Sequence, residues 1–278
     1  MSAPITLPSP PGLPTPPLLR AGIDVWLTFY NDIHDDCHLG NLRSLLSAEE
    51  LAQERRFYFA DDRKRYLVTR AMVRTVLSRY APVPPDAWTF SRNDYGRPSI
   101  AQAIINNQPL ARGLSFNLSH TRGLIALAVS RDRELGVDVE NLSARSIPLD
   151  VADRFFSAIE IEDLGRIPGH ARHDRFFEYW TFKESYIKAR GMGLSLPLDG
   201  FSFEFPHRDA VRISIAPDLE DVADRWCFWQ CRPSADYLMA ICAERVEGAP
   251  PPISMRQYVP LAAEKAVSLP FSRRSESQ

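Results

Sequence analysis

No apolar run in this sequence is long enough to cross a bilayer as a helix. Runs such as Leu124 to Val129 fall far short of the roughly 20 residues such a span needs. Residues 1–20 lack the charged start and apolar centre of a secretory leader, so a cytoplasmic protein with no membrane partner is expected. Cysteine is scarce as well: the four residues Cys37, Cys227, Cys231 and Cys242 contain no C-x-x-C pair, and the last three fall in apolar, strand-like stretches. Free buried thiols are therefore expected in place of a cysteine metal site. An excess of one charge is missing too. With 33 basic against 35 acidic residues the formal net charge is −2, which argues against a protein that neutralises nucleic-acid phosphates broadly. Finally, there is no G-x-x-x-x-G-K-S/T loop, no G-x-G-x-x-G after a strand and no H-E-x-x-H, so the common nucleotide, dinucleotide and zinc-protease classes lack their signatures.

What is present reads as a folded, soluble chain. Its 278 residues are 45% hydrophobic and 24% charged, enough to bury one large core or two modest ones. Proline is concentrated at both ends. Pro4, Pro8, Pro10, Pro11, Pro14, Pro16 and Pro17 make residues 1–20 an extended, solvated arm. Pro250 to Pro252, Pro260, Pro270 and the polar SRRSESQ finish make residues 247–278 a loosely attached tail by the same reasoning. The folded part is expected between them.

Within it, Asp61 and Asp62 offer an N-cap to a helix reaching Tyr80, whose Leu67, Val68, Ala71, Met72, Val76 and Leu77 recur at helical spacing. Strand-like runs follow at Trp88 to Ser91, Leu114 to Leu118, Leu124 to Val129 and Leu135 to Glu140. A second series then repeats the recipe: helices at Val151 to Phe156 and from about Asp174 to Arg190, stopped by Gly191 and Gly193. Its strands are near Phe201 to Phe205, Val211 to Ile215, Trp226 to Gln230 and Tyr237 to Ala243. The element order suggests two similar halves, 21–133 and 134–246, without a residue-by-residue repeat.

Three segments carry chemistry. In Gly136-Val137-Asp138-Val139-Glu140, strand alternation puts Asp138 and Glu140 on one face, where two carboxylates repel unless a cation lies between them. Oxygen ligands suit a hard cation such as Mg²⁺, and Gly136, on the same face, leaves room for a ligand. In the Trp180-to-Lys188 helix, Trp180, Glu184 and Lys188 form one stripe, so Asp138, Glu140 and Glu184 together can hold magnesium against a diphosphate, with Lys188 beside the developing charge. Taken singly, either segment is also explained by solvated acids or by an ordinary i,i+4 ion pair. In Phe116-Asn117-Leu118-Ser119-His120-Thr121 a hydroxyl and an imidazole stand where a strand gives way to a turn, as a phosphate grip or as a hydrogen-bonded structural histidine.

GVDVE, then WTFKESYIKARGMGLSLPLDGFSF about 40 residues later, with FNLSH and DYGRPSI upstream and ADRFFS between, closely resembles the surfactin-synthetase-activating (Sfp) type of 4′-phosphopantetheinyl transferase. The match spans about residues 50 to 245. It implies an α+β fold of two similar halves related by pseudo-twofold symmetry, with the active site in the cleft between them, in a monomer. It implies a magnesium-dependent enzyme that moves phosphopantetheine from coenzyme A to a serine of an apo acyl or peptidyl carrier protein. By motif, Asp138, Glu140 and Glu184 would be metal ligands, Glu184 would also help deprotonate the serine, and Lys188 would stabilise the diphosphate and the departing adenosine 3′,5′-bisphosphate. Ser119, His120 and Arg65 would contact the 3′-phosphate, and Tyr95, Gly96 and Arg97 the adenine side, with Arg97 where lysine is common. Glu50 and Gln53 stand where relatives carry lysines near the 3′-phosphate; Arg55 or Arg56 is the candidate substitute. Arg145, Arg154 and Phe156 are the candidate carrier contacts. A metal-dependent phosphohydrolase of a small phosphate ester and a non-catalytic coenzyme A-binding module are the alternatives.

Overall fold

Residues 22–143, 152–246 and 248–275 are described by a computed structural model. The expected arm at 1–20 and the candidate contact Arg145 lie outside the described residues. The first half comprises β1 (Ile23–Phe29), α1 (Asp36–Arg43), α2 (Ala48–Arg56), α3 (Ala60–Leu77), β2 (Phe90–Arg92), β3 (Pro98–Ile100), α4 (Gln102–Asn107), β4 (Leu114–Thr121) and β5 (Leu124–Arg131). The second comprises β6 (Leu135–Asn141), α5 (Ala152–Phe155), α6 (Ala158–Arg166), α7 (Gly169–Arg190), β7 (Phe201–Glu204), β8 (Ala210–Ile215), β9 (Trp226–Ser234) and β10 (Tyr237–Glu244). Three more strands follow, β11 (Ile253–Val259), β12 (Ala263–Val267) and β13 (Phe271–Ser275).

The halves share one plan. In each, the first strand pairs antiparallel with the last, and the last with the one before it: β1-β5-β4 in one, β6-β10-β9 in the other. Alternation along these strands sorts side chains into layers. Trp26, Ile125, Leu127 and Val129 pack on α3, while Phe228, Leu238 and Ala240 pack on α7. Val25, Leu27, Ala126 and Ala128 from one sheet share a third apolar layer with Val137, Val139, Met239 and Ile241 from the other. Strand β5 reads as a continuous apolar run because both of its faces are covered.

The seam between the halves is made by side chains. The Val137, Val139 and Asn141 amides of edge strand β6 donate to Asn117 Oδ1 (3.0 Å), Ser119 Oγ (3.3 Å) and Thr121 Oγ1 (3.2 Å) of β4. Polar side chains at alternate positions of one strand thus satisfy the open edge of its neighbour.

Among the described residues each half also carries a reciprocal capping box. Ser47 with Glu50 opens α2, and Ser157 with Glu160 opens α6, each as a reciprocal capping box. Their glutamates are buried and continue to the long helix of their own half. Glu50 Oε2 receives Arg74 Nη2 at 2.7 Å and Oε1 receives Arg70; Glu160 Oε2 receives Lys183 Nζ at 2.8 Å. Helix α6 has no counterpart in the sequence reading, although S-A-I-E matches the S-A-E-E that opens α2.

Two further expectations are corrected. Asp61 and Asp62 do not cap α3: its N-cap is Phe59, without a side-chain cap, and both acids lie in the first turn, where they favour the helix dipole. The segment after 247 is not a loose tail. Strand β11 lies parallel to β1, β12 pairs with β11, and β13 lies between β9 and β8. Its prolines fall largely in the connections, while Met255 and Tyr258 are buried and Arg256 reaches Asp24 (3.2 Å) and Glu264 (3.0 Å). Without it β1 would be an uncovered edge. Of the cysteines, Cys227, Cys231 and Cys242 are buried and free as expected, whereas Cys37 is exposed.

Candidate active site

Gly136 decides how closely the second long helix approaches β6. A Cβ at that position would lie 2.0 Å from the Ser185 carbonyl oxygen and 2.5 Å from the Ala189 nitrogen, so only glycine lets the α7 backbone sit there. The space expected for a ligand is taken by the helix. In return, the stripe of Trp180, Glu184 and Lys188 is brought against Asp138 and Glu140.

The shortest contacts join both halves. Lys188 Nζ donates to Asp138 Oδ1 (2.6 Å) and to Ser119 Oγ (2.9 Å), and Ser119 Oγ donates to the same Asp138 oxygen at 2.9 Å. Ser119 also accepts from the Val139 amide, so the seam fixes its position. The indole of Trp180 donates to Glu140 Oε1 at 3.1 Å. Burial, then the neighbouring Asp138 charge, pushes the Glu184 carboxyl above the usual carboxylate range, with Lys188 opposing.

Asp138, Glu140 and Glu184 therefore line one site, but they do not stand as a ready metal cage. Among the described residues no three His, Cys, Asp or Glu side chains are grouped closely enough to hold one ion. The physical reason is that Asp138 is turned to the Lys188 ammonium and Glu140 to an indole. The donor set nevertheless fits a hard cation. Asp138 Oδ2 is buried without a hydrogen-bond partner, and Glu184 feels Asp138 as a like charge; a divalent ion would relieve both.

Next to Ser119 on β4, His120 is exposed. The protein around its ring, then the Arg65 charge, holds its imidazole below the usual histidine range. Arg65 is also bridged to Asp62 at 2.8 Å. Tyr95 is exposed and Gly96, at φ +85°, completes a turn pinned by Asn93 Oδ1, which accepts from the Tyr95 and Arg97 amides. The Arg97 guanidinium turns into the second half, to Glu134 Oε2 (2.7 Å) and the Ala189 carbonyl (3.0 Å), while Asn93 Nδ2 bonds the Gly191 carbonyl at 2.8 Å. This loop thus grips the end of α7 next to Lys188, a role that local sequence does not signal.

Glu50 is buried under Arg70 and Arg74 and serves the scaffold, whereas Gln53 is half-buried and Arg55 and Arg56 are exposed. Arg154 is exposed. Phe156 is core, packed on Phe176 at 4.9 Å and Tyr179 at 5.8 Å between ring centroids, so it is not an exposed contact. Asn117 and Thr121 were not among the expected site residues; the alternation Asn117, Ser119, Thr121 is the signal that marks them.

Comparison with known proteins identifies the family. A model of the 4′-phosphopantetheinyl transferase superfamily matches residues 134–242, and one of the 4′-phosphopantetheinyl transferase N-terminal region matches 35–132. The 4′-phosphopantetheinyl transferase HetI of Nostoc sp. is 34% identical over 224 residues, 80% of this chain and 90% of that protein. The chain belongs to the 4′-phosphopantetheinyl transferase superfamily. Two Bacillus subtilis relatives are similar to this transferase over most of their length. Sfp is 34% identical over 77% of this chain and 89% of its own, and ffp is 36% identical over 78% and 90%. The two model matches meet between residues 132 and 134, where β5 gives way to β6.

Proposed function

We propose that this transferase takes coenzyme A as donor, requires Mg²⁺ and moves the 4′-phosphopantetheine group to a serine of an apo acyl or peptidyl carrier protein, releasing adenosine 3′,5′-bisphosphate. The observation that carries the reading is the Ser119–Asp138–Lys188 triangle, which joins the two halves with Glu184 beside it. A cationic donor and two carboxyl groups at one cleft suit a reaction in which a diphosphate is bound and cleaved.

Asp138, Glu140 and Glu184 are the residues that would hold the ion. When bound, it would supply Lewis-acid neutralisation of the diphosphate. The chain's own groups do the rest. Glu184, its affinity for a proton raised by its surroundings, accepts the proton of the carrier serine. The serine oxygen bonds to the β-phosphorus, the bond from that phosphorus to the bridging oxygen breaks, and the bridging oxygen leaves with adenosine 3′,5′-bisphosphate. Lys188 stabilises the charge gathering on the diphosphate oxygens, and Ser119 orients the lysine. At the far end, Arg65 and His120 grip the 3′-phosphate, whose charge would favour the protonated imidazole. The turn at Tyr95, Gly96 and Arg97 borders the adenine side.

Intact-mass spectrometry of an apo carrier protein incubated with this chain, coenzyme A and Mg²⁺ tests the reading, beside controls with EDTA and with Glu184→Gln. A gain of one phosphopantetheine on the carrier serine, lost in both controls, is expected. No gain with several apo carriers, or an undiminished gain with Glu184→Gln, would overturn it.

A further inference from the structure

One side chain ties the turn between β2 and β3 to the end of α7. Asn93 Oδ1 accepts from the Tyr95 amide (3.1 Å) and the Arg97 amide (2.9 Å), while Asn93 Nδ2 donates to the Gly191 carbonyl at 2.8 Å. Because the oxygen faces two donors and the nitrogen faces a carbonyl, both ends of the side-chain amide are in use. The backbone of Asn93 is engaged as well: its amide donates to the Arg97 carbonyl (3.0 Å) and its carbonyl accepts from the Gly96 amide (2.9 Å). The turn is thus pinned within itself, and the remaining donor of Asn93 holds the other half of the molecule.

What it holds is a helix end, where backbone carbonyls have no partner within the helix. In α7 the Gly191 amide closes on the Ile187 carbonyl with Gly191 at φ +67°, and the Ala189 and Gly191 carbonyls are met from the first half by Arg97 and Asn93. A Cβ on Gly191 would lie 2.9 Å from Arg97 Nη1, so glycine lets the turn come this close. Beside the contact lies a hollow of about 340 Å³ lined by Arg97, Glu134, Arg190 and Arg225, so polar contacts, not apolar packing, hold the turn to the helix. Lys188 stands three residues before Gly191, about 4.5 Å along the helix axis. The first half therefore reaches this lysine twice, at its ammonium through Ser119 and at the backbone just beyond it through Asn93 and Arg97.

We infer that Asn93 is a positioning residue for transfer: by tying the turn to the end of α7 it keeps the last helical turn in place and so holds the Lys188 ammonium on Asp138 and Ser119. This rests on the transfer reading proposed above. Asn93 acts through Lys188 and touches no reacting atom. The turn proposed to border the adenine thereby also sets the cation proposed to meet the diphosphate.

Two variants break the tie while sparing the turn. Asn93→Asp keeps an oxygen for the Tyr95 and Arg97 amides but lacks the donor to Gly191, and Asn93→Ser keeps a shorter acceptor for the turn and cannot reach the helix. Limited acetylation of the ligand-free protein, read by peptide mass, needs no transfer. Relative to Lys64 and Lys265 in the same sample, Lys188 should be labelled about threefold or more faster in both variants than in wild type. In transfer assays each variant should lower kcat about fivefold or more, with the KM for coenzyme A changed by less than about twofold. In a Lys188→Ala background, Asn93→Asp should lower the residual rate by less than about twofold, because the group it positions is gone. Unchanged labelling of Lys188, or a loss of kcat that persists in full without Lys188, would overturn the positioning role. Absence of transfer by wild type would instead overturn the proposed reaction, and the labelling would then decide the link between Asn93 and Lys188 by itself.

Discussion

The two halves of this molecule share a three-strand plan, and one strand face shows how differently that plan is used. Strand β1 turns Asp24, Trp26 and Thr28 toward its long helix; β6 turns Gly136, Asp138 and Glu140 toward the equivalent one. On the opposite face both strands are alike, with Val25 and Leu27 matched by Val137 and Val139 in the shared apolar layer. The face buried between the sheets is held to apolar residues by packing, while the helix-facing side is free to carry either core or chemistry. In the first half that side is closed by the Trp26 indole donating to Tyr80 and by Thr28 bonded to the Tyr258 carbonyl. In the second, the missing side chain of Gly136 admits α7, and the same face carries the charged Asp138 and Glu140.

The capping-box glutamates sharpen the contrast. Glu160 and Lys183 are both fully buried, with the ammonium also bonded to the Leu198 (2.6 Å) and Phe201 (2.8 Å) carbonyls. Glu50 meets two arginines, one of them partly exposed, at the wall of a groove of about 900 Å³. The same device is therefore sealed where it supports the helix that carries Glu184 and Lys188 and open where it supports the other.

The largest expected effect breaks the one-sidedness of the chemistry. Asp138→Ala should lower transfer turnover by about 10²–10³-fold with the circular dichroism spectrum unchanged, because Lys188 loses its fixed partner but is itself partly exposed. Steady-state kinetics checks it, and near-normal turnover would remove Asp138 from the mechanism. Next in size is the pair of scaffold substitutions. Glu160→Ala should destabilise by roughly 3–5 kcal/mol, since it strands the Lys183 ammonium in the core. Glu50→Ala should destabilise by about 1–3 kcal/mol, since Arg70 keeps access to water. Urea denaturation of the two variants measures the difference, and equal losses would contradict the sealed-versus-open comparison.

The smallest effect is one of pH. Burial alone would raise the Glu50 carboxyl, but Arg70, the Ser47 amide and Arg74 outweigh it and hold the group below the usual carboxylate range. Its folded form therefore binds a proton less readily than the unfolded chain does. The resulting stabilisation is complete above the unfolded carboxylate value and is lost as pH falls through the folded one. Stability curves from neutral to acid pH should accordingly be flatter for Glu50→Gln than for wild type, and parallel curves would remove this contribution.

The local order of elements was legible in the chain. Helical spacing at Leu67 to Leu77 and apolar runs at Leu124 and Tyr237 report burial through nearest-neighbour geometry, which sequence carries directly. The stripe of Trp180, Glu184 and Lys188, and the shared face of Asp138 and Glu140, were legible for the same reason: fixed periodicities of 3.6 and 2 decide which side chains point together. The repeated S-A-x-E boxes stand in the sequence but went unread there, and a box states only where a helix starts, not which distant cation its glutamate meets.

By itself the sequence determined the long helices α3 and α7, the strands β4 to β6 and β7 to β10, the carboxylate, serine and lysine segments and, through their order, the family. Only the tertiary structure decided that residues 253–275 add strands to both sheets, that Gly136 admits a helix, that Arg97 grips the end of α7 and that Asp138 is paired with Lys188. Each of these joins residues far apart in the chain, and pairing of that kind depends on which surfaces bury each other once the elements have formed, a choice that no local period encodes.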